Sequence, residues 1–200
     1  MLKIGITGGI GSGKTTVCKI FELLGIPVFY ADPVAKEVMH TDDELKQGII
    51  STFGIESFSE KGVLNRKFIA DIVFYDEKAL ESLNALVHPA VFRAFDKWLL
   101  SHRNAPYVMK EAALLFESGS YKMCTHSILV TAPEKIKVRR VMQRDGITED
   151  EVRLRMLRQF SDEEKEKLSD FTIVNDENTL LIPQVLKLHE HFLSMNPISA

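Results

Sequence analysis

Cysteine is scarce in this chain: two in 200 residues, Cys18 and Cys124, far apart. A secreted fold stapled by disulfides carries more, and no Cys-x-x-Cys pair or Cys/His cluster marks a zinc site. Both thiols read as reduced, small hydrophobes, which points to the cytoplasm. Long apolar runs are also missing. None approaches the ~18 residues of a membrane-spanning helix, and the apolar start is too short for a signal peptide. Seven prolines and eleven glycines exclude collagen-like and low-complexity sequence. An excess of either charge is absent too, with 25 basic against 28 acidic residues. No basic tail or stripe is present, so neither nucleic acid nor a membrane is an expected partner. What remains is average: 45% hydrophobic and 26% charged residues, fitting one soluble domain over residues 1–200.

Within that domain, short apolar strands alternate with longer amphipathic segments. Leu2–Thr7 reads as a strand, followed by a Gly-rich turn and a helical pattern over Thr15–Leu24 that Gly25 stops. Pro27–Ala31 is a second strand. Asp32 then reads as the N-cap of a helix, with Pro33 in its first turn. Residues 42–104 hold helical patterns and no buried strand. Glu77–Arg103 reads as one long helix, or two with a break near His88-Pro89. Strands resume at Tyr107–Met109, Ser127–Thr131 and Phe171–Val174. Helices follow Pro133, the capping boxes Thr148–Glu151 and Ser161–Glu164, and Thr179. Five strands with helical connections predict an α/β fold, a parallel sheet with helices on both faces. The helix-only stretches 42–104 and 134–165 are then inserts on it.

The strongest motif is Gly8-Gly9-Ile10-Gly11-Ser12-Gly13-Lys14-Thr15, which fits G-x-x-x-x-G-K-[ST]. Glycines let backbone N–H groups wrap phosphate oxygens, and the following helix turns its positive end toward them. Lys14 supplies a point charge to the β/γ-phosphates, and the Thr15 hydroxyl is a candidate Mg²⁺ ligand. A nucleoside triphosphate and Mg²⁺ are therefore the expected cofactors. No base-reading N-K-x-D box argues for a GTPase switch. Met109-Lys110-Glu111 is a weak candidate for the acidic strand end of a motor. Glu111 reads either as a group orienting metal-bound water or as half of an ion pair. A kinase for a small acceptor remains.

Further segments stand in a telling order: Thr7–Thr16, Tyr30–Val38, Leu64–Arg66, Leu83–Pro89, Leu114–Glu117, Arg140–Gly146 and Asp170–Asn175. Together they resemble the dephospho-CoA kinase family over essentially the whole chain. The resemblance implies a P-loop kinase fold with a helical substrate-binding insert (42–104) and a helical lid (134–165). It implies transfer of the γ-phosphate of ATP to the ribose 3′-hydroxyl of dephospho-CoA, the final step of coenzyme A synthesis. A nucleoside or nucleoside-monophosphate kinase, or a non-catalytic nucleotide-binding module, is the alternative. Asp32 argues against the last, since a pure switch needs no acid at an acceptor hydroxyl.

The resemblance also assigns roles. Gly8, Gly9, Gly11, Ser12, Gly13, Lys14, Thr15, Thr16 and Asn175 hold the nucleotide. Asp32 orients the attacking hydroxyl. Arg140 and Arg144, four apart on one helix face, cover the phosphates from the lid, while neighbouring Arg139 points elsewhere. Lys14, Asp32, Arg140 and Arg144 form the catalytic set, and Asp32, Arg66 and His88 contact the CoA-type substrate. A guanidinium at Arg66 suits a phosphate. The other histidines, His40 among them, belong to no constellation. The chain departs from many relatives at Ala113, where they carry proline, and at Asn175-Asp176-Glu177, where they often have glycine.

Overall fold

The computed structural model describes residues 1–195; residues 196–200, part of the expected 1–200 domain, lie outside the described residues. In chain order the elements are β1 (Leu2–Thr7), α1 (Lys14–Leu23), β2 (Val28–Tyr30), α2 (Ala31–Thr41), α3 (Asp43–Phe53), α4 (Arg66–Tyr75) and α5 (Glu77–Ser101). They continue with β3 (Tyr107–Glu111), β4 (His126–Thr131), α6 (Glu134–Asp145), α7 (Glu149–Met156), α8 (Asp162–Leu168), β5 (Phe171–Val174) and α9 (Leu181–Met195). Short 3₁₀ turns lie at Ile55–Ser57 and Ser120–Met123.

The chain divides into two compact units, one of Met1–Tyr30 with the chain from His102 onward, the other Ala31–Ser101. The first holds the sheet. Its strand order is β2-β3-β1-β4-β5, every pair parallel. The α/β expectation with five parallel strands therefore holds. Ile4, Ile6, Met109 and Ile128 are fully buried in a core that includes Val17 and Phe21 of α1 and Val185 and Phe192 of α9. On the other side of β1, a Cβ at Gly5 would press on Leu115 and Cys124, so glycine lets the chain after β3 close against the strand. β3 is buried at all five residues, Lys110 and Glu111 included. With β1 central and its neighbours arriving later from both sides, the crevice at the carboxyl end of β1 is the natural ligand position of such a sheet.

The second unit packs α2, α3 and α4 against α5. Asp42 caps α3, accepting from the Leu45 amide at 2.8 Å, and its carboxylate accepts Arg93 Nη2 at 2.8 Å. The Leu45 amide first, and then the Arg93 guanidinium, hold this carboxyl below the usual carboxylate range. Asn65 caps α4 through the Phe68 amide.

Local signals and outcome agree closely at the glycines and caps. Gly25 takes φ 82° after α1, and both capping boxes form, at Thr148/Glu151 and Ser161/Glu164. One expectation changes. The helix after β2 starts at Ala31, directly from the strand, so Asp32 lies inside the first turn and is not the N-cap. Of the two readings of Glu77–Arg103, the single helix holds: α5 is uninterrupted through Pro89. Leu83, Val87, Ala90, Val91 and Phe95 bury one face of it. Pro89 and Ala85 are exposed, so the carbonyl deprived of its donor by the proline has water available.

Candidate active site

Of the four glycines in the turn between β1 and α1, three have positive φ, and each of those has a reason. Gly11 and Gly13 sit at φ 81° and 94°, in the left-handed region where a side chain is strained. A Cβ at Gly13 would strike the Asn175 amide, one at Gly11 the Lys137 carbonyl, and one at Gly8 the Val130 carbonyl. The loop is thus wedged among β4, α6 and the end of β5. Lys14 Nζ folds back over it and donates to the carbonyls of Gly8 (2.8 Å) and Gly9 (3.4 Å). Thr15 and Thr16 are exposed on the first turn of α1. Ser12 Oγ is buried with no hydrogen-bond partner, a polar atom left unsatisfied at the centre of the loop.

Asn175 follows β5 and reaches into this loop, its Nδ2 donating to the Ser12 carbonyl at 2.7 Å. Arg140 closes the same corner from α6. Its guanidinium donates to the Gly11 carbonyl (3.4 Å), to the Asn175 carbonyl (3.2 Å) and to Asn175 Oδ1 (3.3 Å). Lys14, Arg140, Asn175 and the glycines therefore meet. Arg144 does not join them: it is exposed at the end of α6 and pairs with Asp145 at 2.7 Å. Arg139 does not point away as expected. Both it and Arg140 pair with Glu177, at 2.5 and 3.4 Å. Glu177 has φ 70°, among the described residues the one non-glycine in that region. The conformation costs about 1–3 kcal/mol, and the two arginines engage the carboxylate there, Arg139 foremost in holding it below the usual range.

Glu111 ends β3 opposite Ile6, beside the exit of β1 into the loop. Its charge, after burial, raises the thiol of the fully buried Cys18, while Lys14 lowers it, so all three share one electrostatic neighbourhood. Burial likewise pushes Cys124 up to about 11. Neither thiol is an activated nucleophile.

The remaining assigned residues belong to the second unit. Asp32 is exposed in the first turn of α2. Arg66 is the first residue of α4, and its Nη2 lies 3.3 Å from His40 Nε2. The sequence offered no signal for this pairing, because the two residues sit on different helices. His88 is half-buried and stacks on Phe92, ring centroids 6.4 Å apart.

Other partners of the loop were missed as well. Lys137 is buried on α6 and pairs with Asp162 at 2.8 Å, and Thr131 donates to the same carboxylate oxygen. Gln159 accepts the Ile10 amide at 2.9 Å. Glu117 accepts the Phe160 amide and pairs with fully buried Lys165 at 3.1 Å. A cavity of about 740 Å³ opens beside Gly9, between α6 and the turn that joins α7 to α8.

Comparison with known proteins gives one consistent answer. The family model described as dephospho-CoA kinase matches residues 2–180. A dephospho-CoA kinase of Salinibacter ruber is 40% identical over 178 residues, 88% of this chain and 89% of the relative. One of Porphyromonas gingivalis is 37% identical over 198 residues, 98% and 97% of the two chains. Among solved structures, a Thermus thermophilus protein superposes with TM-score 0.80 at 34% identity, covering 97% of both chains. Dephospho-CoA kinase from Campylobacter jejuni gives 0.69 at 26% identity, covering 97% and 98%.

Proposed function

Because the chain belongs to the dephospho-CoA kinase family, we propose how its residues divide the work of passing the γ-phosphate of ATP to the ribose 3′-hydroxyl of dephospho-CoA. The observation that carries this reading is the corner formed by the loop, Lys14, Arg140 and Asn175. Its amides and cations suit a chain of phosphates, and such transfer is catalysed mainly by positioning and charge stabilisation.

In this reading Gly8, Gly9, Gly11, Ser12 and Gly13 wrap the phosphates. Lys14 leaves its loop carbonyls to meet the β- and γ-oxygens, and Thr16 completes the first turn beneath them. Asn175 holds the loop's far side. Asp32 accepts a hydrogen bond from the attacking hydroxyl, orients it and receives its proton. Arg66 and His88 bind the CoA-type substrate. Residues 42–104 act as the substrate insert and 134–165 as a lid, with the cavity beside Gly9 giving α7 room to move. Arg140 and Arg144 bring positive charge to the transferring group as the lid closes, and closure excludes water.

Mg²⁺ fits the donor set: the exposed Thr15 hydroxyl and the Glu111 carboxylate are hard oxygen groups at the loop. Thr15 would hold the ion directly and Glu111 through water. When bound, Mg²⁺ would supply positive charge against the charge developing on the phosphates. The proposed setting is the cytoplasm. Among the described residues, no helix is long and apolar enough to cross a membrane.

The test is ATP consumption with dephospho-CoA against a panel of nucleosides and nucleoside monophosphates, each with Mg²⁺ and with a chelator. Turnover confined to dephospho-CoA and lost on chelation is expected. Faster turnover of any nucleotide acceptor would reassign the insert, and undiminished turnover in chelator would remove the metal.

The two lid arginines should separate. Arg140 touches the loop already, so Arg140→Ala weakens ATP binding and lowers kcat together. Arg144 makes no loop contact, so Arg144→Ala lowers kcat by up to ~10³-fold with little change in ATP Kd. Arg153, paired with Glu134 and Glu149, is the surface control. Steady-state rates and ATP titration check this; wild-type kcat in Arg144→Ala would leave that residue a solvated charge.

A further inference from the structure

Ile10 occupies one of the unspecified positions of the loop motif, yet it is held more firmly than such a position requires. Its side chain packs on the apolar cluster of Val138, Val141 and Val152, which joins α6 to α7. Its amide does not serve the loop either: it donates to Gln159 Oε1 at 2.9 Å. Gln159 lies on the turn just past α7 and is half-buried, its own amide satisfied by the Met156 carbonyl.

That turn is fixed on its far side. Glu117 accepts the next amide, Phe160, at 2.8 Å, and takes Lys165 Nζ at 3.1 Å; Lys165 also donates to the Ala113 carbonyl. Asp162 binds Lys137 and Thr131. The segment from Gln159 to Lys165 is therefore tied to β4, α6 and the chain after β3, and one side chain extends from it to the phosphate loop.

We propose that Gln159 is a positioning residue for phosphoryl transfer: its side-chain carbonyl holds the Ile10 amide, and thereby holds the phosphate loop in its ATP-binding shape and couples that shape to α7. The inference rests on the loop's binding ATP. A backbone N–H deprived of its acceptor inside a half-buried loop turns to other partners, and the amides around it lose their common direction. Movement of α7 would pull on Ile10 through two independent contacts, the apolar cluster and this hydrogen bond. Gln159 touches no reacting atom in this role.

The role requires an acceptor at position 159, and this sets the test. Gln159→Met keeps the length and removes the acceptor; Gln159→Glu keeps an acceptor and adds charge. Gln159→Met should raise KM for ATP by ~10-fold or more, the scale of an unsatisfied buried donor, while kcat and KM for dephospho-CoA stay within about threefold. Hydrogen exchange at the Ile10 amide should accelerate in Gln159→Met and stay protected in Gln159→Glu, whose KM for ATP lies nearer wild type. Thermal unfolding without ligand should match wild type in both variants. Normal KM for ATP in Gln159→Met overturns the proposal, and so does unchanged Ile10 exchange. A loss of ligand-free stability that parallels the rise in KM also overturns it, since the side chain is then only structural. Lys14→Ala measured alongside separates this from the loop assignment: if it is inactive while Gln159→Met is normal, the loop still binds phosphate and the brace alone fails.

Discussion

Lys14→Ala abolishes phosphoryl transfer to within the sensitivity of a coupled assay, a loss of about 10³-fold or more, on the scale of a missing transition-state cation. The protein remains folded. Lys14 is half-buried on the loop and donates to the Gly8 and Gly9 carbonyls, so its truncation opens no cavity in the fully buried core. Thermal unfolding should move by a few degrees at most, while ATP no longer stabilises the fold. Lys14→Arg should not rescue, because a planar fork cannot occupy the place of a compact ammonium. Turnover near wild type at saturating ATP in Lys14→Ala would remove the lysine from the phosphates.

Asp32→Asn carries the next largest effect. We expect kcat to fall by ~10²–10⁴-fold, the usual worth of a general base, with ATP Kd unchanged. The structural background differs from that of a capping residue. Asp32 lies within the first turn of α2, so its carboxylate helps the helix through the dipole and not through a cap hydrogen bond. Asparagine forfeits that charge, and the cost to stability is roughly 0.3–1 kcal/mol. Rates and thermal unfolding measured together separate the roles. A kcat within a few-fold of wild type, with a slightly lower Tm, would make Asp32 a helix-start acid and nothing more.

What the sequence disclosed follows the range of the forces involved. The loop glycines, the stop at Gly25 and the caps at Thr148 and Ser161 depend on a few neighbouring residues, and all were legible. The five strands were legible because each is a short apolar run between turn signals. Pro89 was ambiguous for a physical reason. The rule that proline ends a helix is local, and the buried face of α5 outweighs it. The N-cap expectation for Asp32 is off by two positions of helix register, since α2 grows from β2 with no intervening turn.

The site was half legible. Arg140 and Asn175 could be placed at the loop from the resemblance, but what they touch depends on helix packing. Arg139 and Arg144 illustrate the limit: one faces Glu177 and the other Asp145, and helix periodicity alone does not choose between them. Gln159 and His40 were invisible, because each pairs with a residue remote in sequence. The departure over Asn175-Asp176-Glu177 is legible as a segment, but that Glu177 is the residue at positive φ needs the backbone angle and the arginines around it.

The strand order has a consequence for how the chain is made. β1 leaves the ribosome before either of its sheet partners, which are Tyr107–Glu111 on one side and His126–Thr131 on the other. At the usual ~5–20 residues per second of synthesis, β1 waits on the order of five to twenty seconds for its first neighbour. Throughout that interval an apolar strand edge stays open, while the helices of Ala31–Ser101, whose contacts are local, are already able to form. The loop that follows β1 is thus translated well before the strands that support it. The nascent chain meets its greatest aggregation hazard before residue 107, and its first strand depends on sequence not yet synthesised.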